Sequence, residues 1–283
     1  MGLISEALPR LTVLAVVVGL IACSPAEPPP RLDPPTRIVS LDYCADQYVL
    51  KLAPREHILA VSPDAERSFS YMRGQARGLR QVRPRAEDVL VLQPDLVVRS
   101  YGGGPQVTTF VERMGTPVLQ IDFADDLDGI RDTITAVAEG LDQPARGAEV
   151  VAEMDARLAA LRALPDAPEA LYMTPAGVTS GPGTLVHEML RAAGLANFQH
   201  EPGWRSLPLE RLAYEHPDLV AAVLWGATNH DNAWSAARHP IARRQLRERP
   251  TVRLEGAWVA CGGWFLLDAI EALATTGRGE SAR

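Results

Sequence analysis

Glu87-Asp88-Val89-Leu90-Val91-Leu92-Gln93-Pro94-Asp95-Leu96-Val97 is answered later in the chain by Glu210-Arg211-Leu212-Ala213-Tyr214-Glu215-His216-Pro217-Asp218-Leu219-Val220. Each phrase sets a glutamate seven residues ahead of Pro-Asp-Leu-Val, and the second copy starts 123 residues after the first. Each reads as a short amphipathic helix, a turn at the proline, and a strand. A period this long exceeds that of a solenoid unit, so it predicts two similar lobes. Two lobes imply a cleft, and a cleft is where a ligand sits.

The segments around the phrases alternate strand and helix. Before the first copy stand a strand at Arg37–Leu41, a helix over 45–52, a strand at 58–61 and an Arg-rich loop from Ser62 to Arg85. After it come a strand at Leu96, the turn Ser100-Tyr101-Gly102-Gly103-Gly104-Pro105, a helix over 107–114 and a strand at 117–121. The second half repeats this grammar: strand at 170–173, helix over 184–193, strand at 219–225, helix over 241–248, strand at 251–254 and a last helix over 264–274. Continuous apolar strands alternating with helices predict parallel sheets covered on both faces, an α/β fold of two doubly wound, Rossmann-like lobes. Between them, Gln143 to Leu164 predicts one long helix with Pro144 in its first turn and an apolar stripe of Val151, Met154, Leu158 and Leu161, an inter-lobe spine of roughly 30 Å. The expected divisions are a leader over 1–22, a Pro-rich tether over 23–36, a first lobe over 37–142, the helix over 143–165, a second lobe over 166–275 and a tail over 276–283.

The chain has 283 residues, 47% hydrophobic and 22% charged, with a net charge of −7. It is globular and long enough for two cores, and lacks the basic surface that nucleic acid or an anionic membrane would require. Residues 11–22 are an uncharged apolar run behind Arg10, too short to span a bilayer comfortably but suited to an export signal. The run ends in Leu20-Ile21-Ala22-Cys23, which resembles the lipobox of bacterial lipoproteins, with Cys23 as the acylated residue; the alternative is a plain signal peptide. Six prolines between Ser24 and Pro35 form a stiff tether. Cys44 and Cys261 remain as either a disulfide or two free thiols.

Open α/β sheets bind ligands at the loops leaving the carboxyl ends of their strands. Those loops hold Asp42-Tyr43-Cys44, Arg99-Ser100-Tyr101, Thr174–Gly183, Trp204-Arg205, Trp225-Gly226 and Trp258–Trp264. The concentration of aromatics and arginines suits a large ligand with planar and anionic parts. Tyr101 and Trp204 are the first pocket candidates, with Tyr43, Arg99, Arg205 and Trp258 beside them. Enzymatic signatures are incomplete. Ser180 lacks the glycine two positions earlier that a nucleophile elbow needs. His187-Glu188 is followed by Arg191 where a zinc protease places its second histidine, and Gly102–Gly104 lacks a phosphate loop's Lys-Ser/Thr. His200, His216, His230 and His239 match no metal-ligand spacing.

The lipobox, Arg37-Ile38-Val39-Ser40-Leu41, both Glu…Pro-Asp-Leu-Val phrases, the central helix, and Trp204 with Pro208-Leu209-Glu210 together resemble the helical-backbone class of ABC-transporter substrate-binding proteins. The resemblance covers about residues 37–275. It implies a non-enzymatic, monomeric, extracytoplasmic protein without a cofactor or resident metal. Such a protein binds a metal chelate (cobalamin, a ferric siderophore or haem) and passes it to a permease and its ATPase. It implies docking glutamates at Glu87 and Glu210, and membrane attachment through the Cys23 lipid alone. Aromatic walls point to cobalamin, Arg99 and Arg205 to an anionic siderophore, and the chain has both sets. A ligand-sensing or surface-binding lipoprotein on the same fold is the alternative.

Overall fold

A computed structural model describes residues 33–162, 164, 166–224 and 235–279. The leader, Cys23, the tether up to residue 32, Trp225, Gly226, His230, Trp234 and the tail from residue 280 lie outside the described residues. The first sheet contains β1 (Ile38–Ser40), β2 (Ile58–Ala60), β3 (Leu96–Arg99) and β4 (Val118–Gln120), all parallel in the order β2-β1-β3-β4. Between them run α1 (Tyr43–Leu52), α2 (Arg73–Ala76), α3 (Ala86–Leu90) and α4 (Gly104–Arg113). Then come α5 (Leu127–Gly140) and α6 (Pro144–Ala159).

The second sheet contains β5 (Glu169–Met173), β7 (Ala196–Asn197), β9 (Leu219–Leu224) and β10 (Thr251–Glu255), parallel in the order β10-β9-β5-β7. Its helices are α7 (Leu185–Ala192), α8 (Arg211–Tyr214), α9 (Pro240–Glu248), α10 (Gly256–Val259) and α11 (Leu266–Gly277). Read from β7, the order is the same winding as the first sheet, so β5 answers β1 and β9 answers β3. Two doubly wound lobes are present, as the repeat predicts.

The repeated phrase has a physical reason. Each copy is a short helix, α3 or α8, leading into the strand that pairs directly with the lobe's first strand. Asp95 accepts the backbone N–H groups of Thr36 (2.8 Å) and Arg37 (2.9 Å) just ahead of β1. Asp218 accepts that of Glu169 at the start of β5 (2.8 Å). The backbone N–H of each aspartate donates in turn to the carbonyl of Arg37 or Glu169. One carboxylate per lobe thus fixes the register at the amino ends of the two central strands.

Strand alternation then sorts side chains into layers. Ile38, Leu96 and Val98 in the first sheet, with Ala170 and Tyr172 in the second, enter one continuous core that also takes Ile130, Met154, Leu267 and Ile270. Val39 and Val97 enter a separate cluster on the first lobe, and Leu171, Phe198 and Val220 one on the second. Sequence length suggests two cores, whereas the lobes share a central one and each carries an outer one.

The long helix differs from expectation. α6 has 16 residues rather than reaching Leu164, and is about 24 Å long. Its partner α5, an element with no counterpart in the sequence-based assignment, approaches so closely that a Cβ on Gly147 would stand 2.4 Å from Ala138 Cβ. The far end of α6 is held by Arg157, which donates to Asp268 (2.7 Å) and Glu271 (2.8 Å) of α11. The stretch read as loops at Thr174–Gly183 and Trp204-Arg205 contains an antiparallel ribbon of β6 (Val178–Ser180) and β8 (Trp204–Ser206).

Candidate functional site

In each sheet the chain leaves the first strand toward one neighbour and returns on the other side, so a crevice opens at the carboxyl ends of β1 and β3, and of β5 and β9. The first crevice is organised by Asp42, the N-cap of α1. Its Oδ1 accepts the N–H of Ala45 (2.9 Å). Its Oδ2 accepts the N–H groups of Ser100 (2.7 Å), Tyr101 (3.1 Å) and Gly102 (2.9 Å). A carboxylate 3% exposed is thereby satisfied four times, and the loop after β3 is locked onto the start of α1. Close packing there requires glycine, since a Cβ on Gly102 would lie 2.5 Å from the Leu41 carbonyl oxygen.

This lock sets two tyrosines side by side. The Tyr43 and Tyr101 rings meet edge-on at 5.9 Å, and Phe69 packs on the other flank of Tyr43 at 4.9 Å. Tyr101 is 46% exposed, which leaves its ring available to a ligand. Burial raises the pKa of both phenols, and the carboxylate of Asp42 raises them further, so both are neutral at physiological pH. Beneath them Asp46, fully buried, accepts from Ser62 N (3.0 Å) and Ser62 Oγ (2.6 Å); burial pushes its pKa up to about 6.

In the second lobe Trp204 stands on β8, 57% exposed, with its ring 6.1 Å from that of Tyr172 on β5. The ribbon continues from the carboxyl end of β5 through a turn closed by Gly177 N to Thr174 O. Trp204 therefore belongs to the same edge of its sheet as the tyrosines do to theirs.

The other candidates separate from these aromatics. Arg99 donates to the Gly102 carbonyl (2.8 Å) and to Gln120 Oε1 (2.7 Å), bracing the tyrosine loop from behind. Arg205 follows Trp204 in an extended strand, so it points to the opposite face. It lies near Glu201 (3.7 Å) and lines a cavity of about 850 Å³ with His200, Glu210 and Arg211, among others. Trp258 lines a smaller crevice of about 340 Å³ with Tyr71, Arg73, Arg77 and Glu255. Burial and the Asp268 carboxylate push the Tyr71 phenol up to about 12. Glu87 and Glu210 are exposed at the starts of α3 and α8, and neither forms an ion pair among the described residues. Among those residues no group of His, Cys, Asp and Glu is arranged to hold a metal ion. No described helix is long and apolar enough to cross a membrane.

Cys44 and Cys261 are joined as a disulfide, with Cα atoms 5.6 Å apart, resolving the alternative left by the sequence. Cys44 lies in the first turn of α1 and Cys261 between α10 and α11, so the bond ties one lobe to the other where their carboxyl edges meet. Beside it Tyr48 Oη donates to the Gly262 carbonyl (3.0 Å), and Tyr71 Oη to Asp268 (2.9 Å). Asp42 is the functional residue not singled out from the sequence. An aspartate between an apolar strand and a helix is an N-cap signal, but its three bonds to residues 100–102 have no local trace.

Comparison with known proteins agrees with this architecture. The cobalamin-binding protein of Halobacterium salinarum is 27% identical over 201 residues, 66% of this chain. The chain spans about half, 53%, of that relative's length. The periplasmic heme-binding protein RhuT from Roseiflexus sp. RS-1 has a TM-score of 0.68 at 23% identity, covering 86% of this chain and 98% of that one. Periplasmic vitamin B12-binding protein BtuF of Vibrio cholerae has a TM-score of 0.60 at 19% identity, covering 87% and 97%. At these identities the structures speak to the fold. The model of the periplasmic binding protein family matches residues 38–245, from β1 of the first lobe into α9 of the second, and this chain belongs to that family of substrate-binding proteins rather than enzymes.

Proposed function

We propose that the chain captures a metal chelate of the cobalamin or haem type outside the cytoplasm and delivers it to an ABC importer, with cobalamin the favoured ligand. The observation that carries this reading is the character of the two crevice walls. Tyr43 and Tyr101 present neutral rings on one lobe and Trp204 an exposed ring on the other, while Arg99 is engaged by Gly102 and Gln120 and Arg205 faces away from Trp204. An anionic siderophore would be held by cations beside the aromatics. A large ligand of small net charge is held by aromatic surface and desolvation. The names of similar proteins point the same way: cobalamin for the halobacterial relative, heme or vitamin B12 for the structural neighbours.

Attachment through acylated Cys23, docking of Glu87 and Glu210 on permease arginines, and function as a monomer complete the proposal. Titration of tryptophan fluorescence with cyanocobalamin, haemin and a ferric siderophore tests it. Cyanocobalamin is expected to bind most tightly. Tyr101→Ala and Trp204→Ala should each weaken it by on the order of 1–3 kcal/mol, the value of one buried aromatic anchor. Tight siderophore binding lost in Arg99→Ala and Arg205→Ala would replace the favoured ligand. Binding indifferent to both aromatic truncations would refute the placement of the site.

A further inference from the structure

The disulfide holds more than two lobes. Cys44 is the residue after Tyr43, and both belong to the first turn of α1. Asp42, one residue earlier, carries Ser100, Tyr101 and Gly102 on its carboxylate. Tyr43, Tyr101 and Cys44 are therefore parts of one rigid corner, and whatever holds Cys44 holds the tyrosine pair. Its partner Cys261 sits in a tightly packed linker. A Cβ on the next residue, Gly262, would stand 3.3 Å from Leu185 at the start of α7, and the Gly262 carbonyl accepts the Tyr48 hydroxyl. The bond thus runs from the corner bearing the first lobe's aromatics to the frame of the second lobe, which bears Trp204.

We propose that the Cys44–Cys261 disulfide is a positioning element of the ligand site, fixing the tyrosine pair against the second lobe so that affinity depends on the bond being intact. The inference rests on the ligand reading above for its affinity consequence but not for its structural one. Other cross-lobe contacts survive loss of the bond: Tyr71 to Asp268, the Tyr71 ring stacked on Phe265 at 5.0 Å, and Lys51 5.7 Å from the Trp264 ring centre. The lobes therefore stay associated through their shared core, and Tyr48 still ties the middle of α1 to the Gly262 carbonyl, while the first turn of α1, with Tyr43, loses its covalent tether to the second lobe. A preorganised site avoids the ordering cost that a loosened one meets on binding.

The test uses the double variant Cys44→Ser/Cys261→Ser, which leaves no free thiol, beside wild type, at a temperature where near-UV circular dichroism shows both folded. Cyanocobalamin and haemin are the probes. The variant should bind about tenfold more weakly or worse, with the loss mainly in dissociation rate. Hydrogen exchange of the ligand-free proteins supplies a readout that a mere staple of global stability would not move. Amides of residues 42–45 and 100–102 should exchange on the order of tenfold faster, while those of β5 and β9 change together and less. If wild type binds neither probe, the ligand reading fails and the exchange result alone decides the proposal. Unchanged affinity in a folded variant, or, where neither probe binds, unchanged exchange at 100–102, overturns it.

Discussion

The two lobes share a winding and differ in how they present a surface. In the first, one buried carboxylate, Asp42, caps α1 and gathers the loop after β3, so the carboxyl edge is a compact corner made from two adjacent loops. In the second, the equivalent helix α7 is capped by Thr184, whose Oγ accepts from His187 N (3.3 Å) and donates to the Gly181 carbonyl (2.8 Å). The other side-chain contact of Thr184 among the described residues is local, to the Ser180 hydroxyl (2.7 Å). That lobe instead adds the β6–β8 ribbon, with β6 between β5 and α7 and β8 between β7 and α8, and the ribbon carries Trp204. The scaffold is repeated because register and core are the same problem twice, whereas the loops at the carboxyl ends of the strands are built differently and do not repeat.

Removing the two caps is the sharpest way to break this comparison. Asp42→Ala strands four backbone N–H groups at a buried position and should cost on the order of 3–5 kcal/mol of folding stability. Thr184→Ala loses an ordinary cap and should cost about 1 kcal/mol. Urea denaturation followed by circular dichroism measures both. Equal costs would mean that Asp42 does no more than cap a helix.

A smaller effect distinguishes the lobes by pH. The fourth position of α1 is Asp46, wholly buried, and the fourth of α7 is Glu188, which is not. Burial raises the Asp46 pKa from 3.8 to about 6 despite its bonds to Ser62, and the nearby Asp42 carboxylate pushes it the same way. Between those values the folded state binds the proton and the unfolded state does not. Asp46 therefore favours folding below pH 4, and that contribution is lost as pH rises through 6. Asp46→Asn should remove this component, so the stability difference between variant and wild type should shift by roughly 1–3 kcal/mol between pH 4 and 7. A flat difference for Asp46→Asn would place that carboxylate in contact with water.

Much of this architecture was legible in the chain because it arises from local patterns. The Pro-Asp-Leu-Val phrases mark β3 and β9, and the strands and helices around them follow from apolar runs ended by Gly or Pro. Tyr43, Tyr101 and Trp204 could be gathered because they stand beside strand ends or turns. What escaped depends on partners distant in sequence. Val178–Ser180 and Trp204–Ser206 are three-residue strands whose pairing needs each other, so each alone reads as loop. α5 carries Ile130, Ile134, Val137 and Ala138 at helical spacing, a signal that was present but masked by the acidic run before it. Arg99 read as a ligand cation because no sequence shows that the carbonyl three residues on would take its Nε–H. The disulfide spans 217 residues, a separation from which no pairing follows.

The smallest expected effect on ligand affinity concerns the pair of residues in which the lobes are most alike. Glu87 and Glu210 open the repeated phrases, stand exposed, and lack ion-pair partners among the described residues. A carboxylate left unpaired at the same point of both lobes contributes little to folding, since exposed charges are worth tenths of a kcal/mol to about one. The docking proposal assigns it the task of meeting a cation from outside. Glu87→Arg and Glu210→Arg should therefore leave ligand dissociation constants within about twofold of wild type, while uptake by cells carrying the cognate importer falls to background when both are reversed. Uptake unaffected by the double reversal, or affinity falling in step with uptake, would remove docking as the reason these two residues are alike.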